Sequence, residues 1–351
     1  MTSTVLYRKY RPQSFTEVID QDQVVSALKQ QIKDQTTAHA YLFFGGRGTG
    51  KTSVARILAK ALKCSDKDLY EIDAASNTGV DDVRELRDGV RSLPFESPVK
   101  VYIIDEVHML SKSAFNALLK TLEEPPAHVI FILATTELNK VPDTVISRCE
   151  LHTFKEPSAS VLVKLIKTIS EKEGYEISEE ACNLLADLGG HSFRDTLGVL
   201  QKVLTGTKGQ KIDTAEVVAL TGEPAKDLVL KFLTALLQGE TEESLVVLKS
   251  SRRTKDDVKL FAKRVLDNLR LVMILKYAPK LKEDIKKSVP AETFLILETL
   301  TNHKNIVKVS AILKELLEAY DQIGTTYLPD LPLEMAIINI SQKLNPPTHG
   351  N

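Results

Sequence analysis

A glycine-rich segment that ends in lysine and threonine is the first feature of this chain that could do chemistry. Residues 45–52 read Gly-Gly-Arg-Gly-Thr-Gly-Lys-Thr and fit the spacing Gly-x-x-x-x-Gly-Lys-Thr. Glycines let a backbone wrap closely around a triphosphate, and a helix that begins at the loop adds free N–H groups and positive potential. We expect Lys51 to lie along the β- and γ-phosphates and the Thr52 hydroxyl to bind Mg²⁺. The predicted nucleotide-binding residues of this loop are Gly45, Gly46, Gly48, Thr49, Gly50, Lys51, Thr52 and Ser53.

The residues on either side of this loop give it the expected setting. Residues 40–44 are a short apolar run bounded by glycine, which predicts a buried strand. Residues 53–63 then carry a helical apolar pattern. A strand, a loop and a helix in this order are the context in which the pattern binds phosphate. The alternative is a glycine-rich turn that only caps the helix.

Two carboxylates at the end of an apolar run are the second chemical feature. Residues 99–104 form the run, and Asp105 and Glu106 follow it. Ligands collect at the carboxyl ends of parallel strands, where a phosphate-binding loop also lies. We therefore expect Asp105 to bind Mg²⁺ and Glu106 to act in catalysis by orienting or deprotonating the attacking water. Carboxylates that cap the next helix are the structural alternative, and His108 fits a structural role at least as well as a catalytic one.

Polar residues further along the chain extend this set. Thr135 and Thr136 follow the apolar run 129–134 and could hydrogen-bond a γ-phosphate or the attacking water, or could simply close a strand. Arg148 lies in a loop, and alone it would be a surface residue. Neither Lys51 nor Glu106 explains how charge on a transferred phosphoryl group is neutralised, however, and a neighbouring molecule often supplies an arginine for that purpose.

Arg194 is a cation at an unfavourable position. Residues 192–195 read Ser-Phe-Arg-Asp and match the start of a helix with a capping box. Arg194 would then lie in the first turn, where the helix dipole disfavours positive charge. This placement suggests an anionic partner, with a plain surface arginine as the alternative.

Length and composition indicate a soluble globular protein of two or three domains. The chain has 351 residues, of which 43% are hydrophobic and 26% charged, and its net charge is −1. It has no apolar tract long enough to span a membrane and no signal peptide, so we expect a cytoplasmic protein. Its three cysteines, at positions 64, 149 and 182, are too scattered for a disulfide framework. A chain of nearly neutral charge would need a local patch, or several subunits, to bind nucleic acid.

The pattern of elements changes along the chain. Strands and helices alternate up to a linker at 156–158, which predicts a parallel sheet flanked by helices in residues 1–157. Only helical patterns follow, in a small domain at 158–221 and an all-α domain at 222–351. The predicted strands are 40–44, 69–73, 99–105, 129–134 and 150–154. The predicted helices include 80–93, 113–124, 226–237, 242–250, 256–276, 291–302, 306–320 and 333–344.

Taken together, the motifs resemble those of the AAA+ clamp-loader ATPases, and in particular the γ/τ subunit family of bacterial DNA polymerase III. The likeness is most specific in residues 7–15, 71–76, 105–111 and 115–126. It is weaker up to Arg194 and is limited to length and helical character beyond residue 210. It implies an AAA+ α/β domain, a small helical lid and a helical collar that joins subunits into a pentamer.

The resemblance also implies roles for individual residues. Arg11 and the stretch from Val18 to Ile19 would line the adenine pocket of bound ATP, and Thr135 or Thr136 would be sensor 1. Arg148 would be the arginine finger that completes a neighbour's site, and Arg194 would be sensor 2. With other clamp-loader subunits, such a protein uses ATP and Mg²⁺ to open the ring-shaped sliding clamp and close it on primer-template DNA.

One departure and two alternatives accompany this resemblance. Family members usually carry a four-cysteine zinc module before the Glu-Ile-Asp strand, but here Cys64 is the only cysteine in that interval, so no zinc site is expected. A non-hydrolysing scaffold subunit of the δ′ type would have no need for intact Lys51, Thr52, Asp105 and Glu106. Other AAA+ DNA-remodelling ATPases, such as a replication-factor-C small subunit or a branch-migration motor, differ in residues 71–76 and 116–126.

Overall fold

In the computed structural model, residues 5–76, 89–222, 226–250, 255–289 and 291–345 are described, and the chain divides into two compact units. The first unit is Met1–Val217 and the second is Val218–Asn351. This division lies four residues before the predicted boundary at 221, whereas the boundary at 157 stays a prediction. Most of the helix predicted at 80–93 lies outside the described residues.

A parallel five-stranded sheet forms the centre of the first unit. The strands stand in the order β2-β3-β4-β1-β5, and each neighbouring pair is parallel. All five predicted strands are present, with ends that shift by at most one residue. The strands are β1 Ala40–Phe44, β2 Leu69–Asp73, β3 Lys100–Asp105, β4 Val129–Thr135 and β5 Glu150–Thr153.

Apolar side chains on both faces explain why the three inner strands of this sheet, β1, β3 and β4, read as nearly continuous apolar runs. Successive residues of a strand point to opposite faces. Leu42 of β1 packs in a core on one face with Phe131, whereas Phe43 packs on the other face with Val54 and Leu58. All of these side chains are buried. Burial on two faces requires helices on both sides of the sheet, as parallel sheets generally have.

The helices that flank the sheet begin and end at recognisable signals. Helix α3 starts at Lys51, at the end of the glycine-rich loop, and Ser111 caps α4 by accepting a hydrogen bond from the Ala114 N–H. Residues 125–126 are a Pro-Pro pair that follows the end of α4. The helices up to β5 are α1 Leu6–Lys9, α2 Asp22–Asp34, α3 Lys51–Ala61, α4 Lys112–Glu123 and α5 Asp143–Ile146, with short 3₁₀ turns at Val107–Met109 and Leu138–Lys140.

A group of helices follows the sheet within the described residues of the first unit. They are α6 Ala159–Lys172, α7 Glu179–Leu188 and α8 Phe193–Gly206, and the next helix, α9 Thr214–Thr221, spans the division at Val217. Two short parallel strands, β6 Glu176–Ile177 and β7 Lys211–Ile212, join them and were not predicted. Ser192 caps α8 as predicted, because its Oγ accepts from the Asp195 N–H at 3.2 Å. Its own N–H donates to the Gly189 carbonyl at 3.2 Å.

The described residues of the second unit form helices, as the apolar patterns predicted. The helices are α10 Lys226–Gln238, α11 Thr241–Ser250, α12 Lys255–Tyr277, α13 Lys282–Ser288, α14 Ala291–Leu300, α15 Val309–Gln322 and α16 Leu331–Leu344. Helix α13 was not predicted. Phe232 and Phe261 meet edge to face in the core, with ring centroids 5.2 Å apart. No helix in the described parts of the chain has the length and apolar character needed to cross a membrane.

Candidate active site

The glycine-rich loop connects the buried strand β1 to the start of α3. Gly50 caps this helix with φ +106°, a conformation that side chains rarely adopt. A Cβ atom added at Gly45 would lie 2.6 Å from the carbonyl oxygen of Phe154, so only glycine fits there. The loop therefore has the backbone freedom and the helix N-terminus that the sequence predicted for a phosphate site.

Lys51 is buried at the beginning of α3. Its exposed fraction is 6%, and its Nζ donates hydrogen bonds to the carbonyl oxygens of Gly45 and Gly46, both at 2.8 Å. Burial lowers the pKa of Lys51, while the carboxylates of Glu106 and Asp105 act in the opposite direction. A cation held in partly desolvated surroundings interacts more strongly with phosphate than a cation in water does.

Thr52 and Asp105 bring two oxygen groups together from different elements. The Thr52 Oγ1 donates to the Asp105 Oδ2 at 2.7 Å, and the Glu106 N–H donates to the other oxygen, Oδ1, at 3.0 Å. The first residue lies on α3 and the second ends β3. Hydroxyl and carboxylate oxygens suit Mg²⁺, which usually binds one or two carboxylates together with substrate phosphates. This pair therefore fits the predicted metal.

Glu106 follows β3 in a strained conformation. Its φ is +48°, in the left-handed region that non-glycine residues seldom adopt and that often marks functional sites. The Thr136 hydroxyl donates to the Glu106 Oε2 at 3.1 Å, and the His108 Nδ1 lies 3.4 Å from the same oxygen. Thr135 is buried, and its hydroxyl lies 3.0 Å from the His108 Nδ1 and also accepts from the Glu137 N–H at 3.0 Å. Both threonines predicted at the end of β4 thus join a network around Glu106.

A cavity beside the loop brings together most of the predicted nucleotide-binding residues. Its lining includes Arg11, Val18, Ile19, Gly48, Thr49, Gly50, Lys51, Thr52, Ser53, Asp105 and Arg194. The lining is completed by residues that were not predicted to lie at the site, namely Tyr7, Tyr10, Pro12, Glu17, Val54, Leu165, Phe193 and Leu197. Leu165 and Leu197 belong to apolar helical stripes, so their pattern indicated burial without indicating a cavity.

Helix α8 reaches the glycine-rich loop at its N-terminal end. The Phe193 N–H donates to the Gly48 carbonyl oxygen at 3.1 Å, and the Arg194 guanidinium lies 5.1 Å from the centre of the Tyr7 ring. Burial, followed by the nearby Arg56 guanidinium, lowers the pKa of Arg11 on the same cavity. Several cations thus approach one another here, which favours an anionic ligand.

Arg148 lies apart from this cavity. Its Nη2 is 2.7 Å from the Glu123 Oε1, and its Nη1 donates to the Thr144 carbonyl oxygen at 2.7 Å. The side chain is 34% exposed. Of the other predicted site residues, Gly45, Gly46, Glu106, Thr135 and Thr136 also lie outside the cavity lining, although each hydrogen-bonds a neighbour in the loop or the network described above.

None of the three cysteines of the chain lines the cavity. All three are free, and burial raises the pKa of each thiol, that of Cys149 to about 12. Across the described ranges, no group of three or more His, Cys, Asp or Glu side chains could hold a metal ion.

Comparisons with protein families match both units of the chain. Residues 20–78 and 66–158 match the model described as DNA polymerase III, delta subunit. Residues 212–350 match the model described as DNA polymerase III subunits gamma and tau domain III. Among solved structures, the RuvB Holliday junction branch migration motor of Thermotoga maritima aligns with a TM-score of 0.52 over 65% of this chain and 80% of its own. At 22% identity, this likeness shows the AAA+ fold alone.

Relatives of similar sequence are gamma or tau subunits of DNA polymerase III. DNA polymerase III subunit gamma of Buchnera aphidicola is 38% identical over 80% of this chain and 82% of its own length. Subunit tau of Bacillus subtilis is 35% identical over 97% of this chain, and that of Escherichia coli is 36% identical over 80%. The chain spans 64% and 46% of the lengths of these two tau subunits. The glycine-rich loop, the paired carboxylates and these similarities over most of the chain together show that it belongs to the γ/τ subunit family of DNA polymerase III.

Proposed function

We propose that this chain is the ATP-hydrolysing motor subunit of a DNA polymerase III clamp loader, which opens a sliding clamp and loads it onto primer-template DNA. The observation that carries the proposal is the convergence of Lys51, Thr52 and Asp105 at the start of α3 and the end of β3. Membership of the γ/τ family supplies the biological setting. The same membership supports assembly with other loader subunits.

The residues around the loop would divide the work of ATP hydrolysis. Lys51 would neutralise the β- and γ-phosphates, and Thr52 and Asp105 would hold Mg²⁺. When bound, Mg²⁺ supplies positive charge that neutralises the phosphate oxygens. Glu106 would orient the attacking water and accept its proton, with Thr136 holding the carboxylate in place through the 3.1 Å hydrogen bond. Thr135 would support the same network through His108.

Other residues of the cavity would hold the base, and a second chain would complete the site. Arg11 and Val18 line the same cavity and would contact the adenine, while Arg194 would contact phosphate. Arg148, outside the cavity of its own chain, would act on ATP bound by a neighbour. Residues 158–221 would form the lid, and residues 222–351 would form the collar that joins the subunits into a pentamer.

Substitution of Lys51 tests the proposal most directly. In a reconstituted complex with the other loader subunits, Lys51→Ala should abolish ATP binding by the altered chain and ATP-dependent clamp loading. Lys60→Ala is the matched control, because Lys60 is an exposed lysine in the last turn of the same helix. Equilibrium binding of ATP and loading of a labelled clamp onto primed DNA are the measurements. Normal binding and loading by the Lys51 variant would contradict the proposal.

Two alternatives predict different results in the same assay. A non-hydrolysing scaffold subunit would bind ATP without turning it over in any assembly. A motor that remodels DNA without a clamp would hydrolyse ATP with primed DNA alone, and addition of the clamp would change nothing. ATP turnover measured with and without the clamp and primed DNA therefore separates the three functions.

A further inference from the structure

A short N-terminal segment forms one wall of the nucleotide cavity. Helix α1 spans only Leu6–Lys9, and a helix of four residues is not stable in isolation. Tyr7 and Tyr10, at either end of this segment, both line the cavity. The position of this wall must therefore come from contacts that α1 makes with residues far away in the sequence.

The helices that follow the sheet provide those contacts. The Leu6 N–H donates to the Gln201 Oε1 on α8 at 2.9 Å. Glu173, which caps the end of α6, accepts from the Tyr10 hydroxyl at 2.5 Å and from the Lys9 Nζ at 2.6 Å through the same oxygen. The Glu173 side chain is 21% exposed, and hydrogen bonds first from Lys9 and then from Tyr10 lower its pKa.

Glu173 thus lies behind the cavity wall rather than in it. It is absent from the lining, yet it holds the hydroxyl of Tyr10, whose ring is part of the lining. At the other end of the segment, the Tyr7 ring faces the Arg194 guanidinium at 5.1 Å. A shift of the segment would therefore move both the Tyr10 ring in the cavity wall and the Tyr7 ring that faces the Arg194 guanidinium.

We propose that Glu173 is a positioning residue that sets the affinity of the cavity for nucleoside triphosphate by holding Tyr10 in place. This inference rests on the proposed function only in requiring that the cavity binds a nucleotide. Apparent affinity falls in proportion to the fraction of molecules in the binding-competent arrangement. Loss of the carboxylate lowers that fraction, and because Glu173 touches no residue of the phosphate chemistry, turnover at saturating ATP stays unchanged.

The test compares Glu173→Ala with Glu176→Ala in the full chain. Glu176 is a matched control, because it lies three residues further on, in β6, and pairs with Lys211 at 3.2 Å, with both side chains more than 70% exposed. Removal of hydrogen bonds to a charged group should raise the ATP dissociation constant of the Glu173 variant by about tenfold or more. The Glu176 variant should bind as the unaltered chain does. In the assembled loader, KM for ATP should rise in the Glu173 variant while kcat is retained.

A second variant keeps the inference testable if Glu173→Ala destabilises the chain. Tyr10→Phe removes only the hydroxyl that Glu173 accepts from, and it should weaken ATP binding severalfold without affecting folding. In the double variant, the loss of ATP-binding free energy should be smaller than the sum of the losses in the two single variants, because both substitutions remove the same contact. Additive effects, equal binding by the Glu173 and Glu176 variants, or a fall in kcat alone would each overturn the inference. Normal ATP binding by Lys51→Ala would instead contradict the proposed function.

Discussion

Two basic residues proposed to act on the same phosphoryl group have opposite surroundings in this chain. Lys51 is 6% exposed and hydrogen-bonds the backbone of its own loop. Arg148 has a side chain that is 34% exposed and pairs with Glu123, whose side chain is 49% exposed. One cation is built into the cavity, whereas the other lies on a surface of the same unit.

The difference in burial has an energetic consequence. Partial desolvation strengthens the electrostatic field of Lys51 at the phosphates of a nucleotide in the same chain. An exposed ion pair such as Arg148 with Glu123 contributes only about 0–1 kcal/mol to stability, so a stronger anion can replace the carboxylate at little cost. Under the proposed function, the chain would bind ATP in its own cavity, whereas complete catalysis would depend on a neighbour.

The largest effect should follow from removal of Arg148. Arg148→Ala should leave the ATP dissociation constant of its own chain unchanged, because the residue lies outside the cavity. ATP hydrolysis in the assembled complex should fall by about 10³-fold or more, as is typical when an arginine finger is lost. Lys67→Ala, which removes another exposed ion-paired cation, is the control and should hydrolyse normally. Normal hydrolysis by a complex that carries only the Arg148 variant would show that Lys51 and Arg148 do not share one phosphate.

Glu106→Gln should have the next largest effect. The amide cannot accept a proton from water, so hydrolysis should fall by roughly 10²–10³-fold, within the range for loss of general base catalysis. ATP binding should persist, because Glu106 lies outside the cavity lining. Single-turnover hydrolysis and equilibrium binding measure the two quantities. Loss of binding and hydrolysis together would instead assign Glu106 a structural role in the loop.

Arg194→Ala should have an intermediate effect, which concerns the affinity of the cavity for ATP. Its guanidinium lines the cavity at the start of α8, and loss of one charged contact to phosphate should weaken ATP binding by about tenfold. ADP, which lacks the γ-phosphate, should lose less affinity than ATP if the contact reaches that group. An unchanged affinity for both nucleotides would place Arg194 among surface residues.

The smallest effect should follow from removal of Glu123. Because the pair with Arg148 is exposed, Glu123→Ala should change the free energy of unfolding by less than about 1 kcal/mol. Hydrolysis in the assembled complex should stay within about threefold, because Arg148 keeps its hydrogen bond to the Thr144 carbonyl oxygen and arginine has five donors. A loss as large as that of Arg148→Ala would mean that the carboxylate is required to orient the arginine.

Much of the fold could be predicted because its signals are local. The inner strands β1, β3 and β4 were recognisable as short apolar runs, and burial of both faces of the sheet is the physical cause of that pattern. The two strands β6 and β7 were missed because each has two residues, too few for any periodicity. Helix α13 was missed for a similar reason, since its seven residues form barely two turns.

The sequence by itself determined the residue types of the proposed phosphate site. The loop 45–52 and Asp105 are recognisable because phosphate and metal binding demand particular residue types at close spacing. Only the tertiary structure decided how one wall of the cavity is held, because Tyr10 meets Glu173, 163 residues away in the chain. It also decided that Arg148 lies outside the cavity. Contacts of this kind depend on how distant elements pack, and no local pattern of residues encodes them.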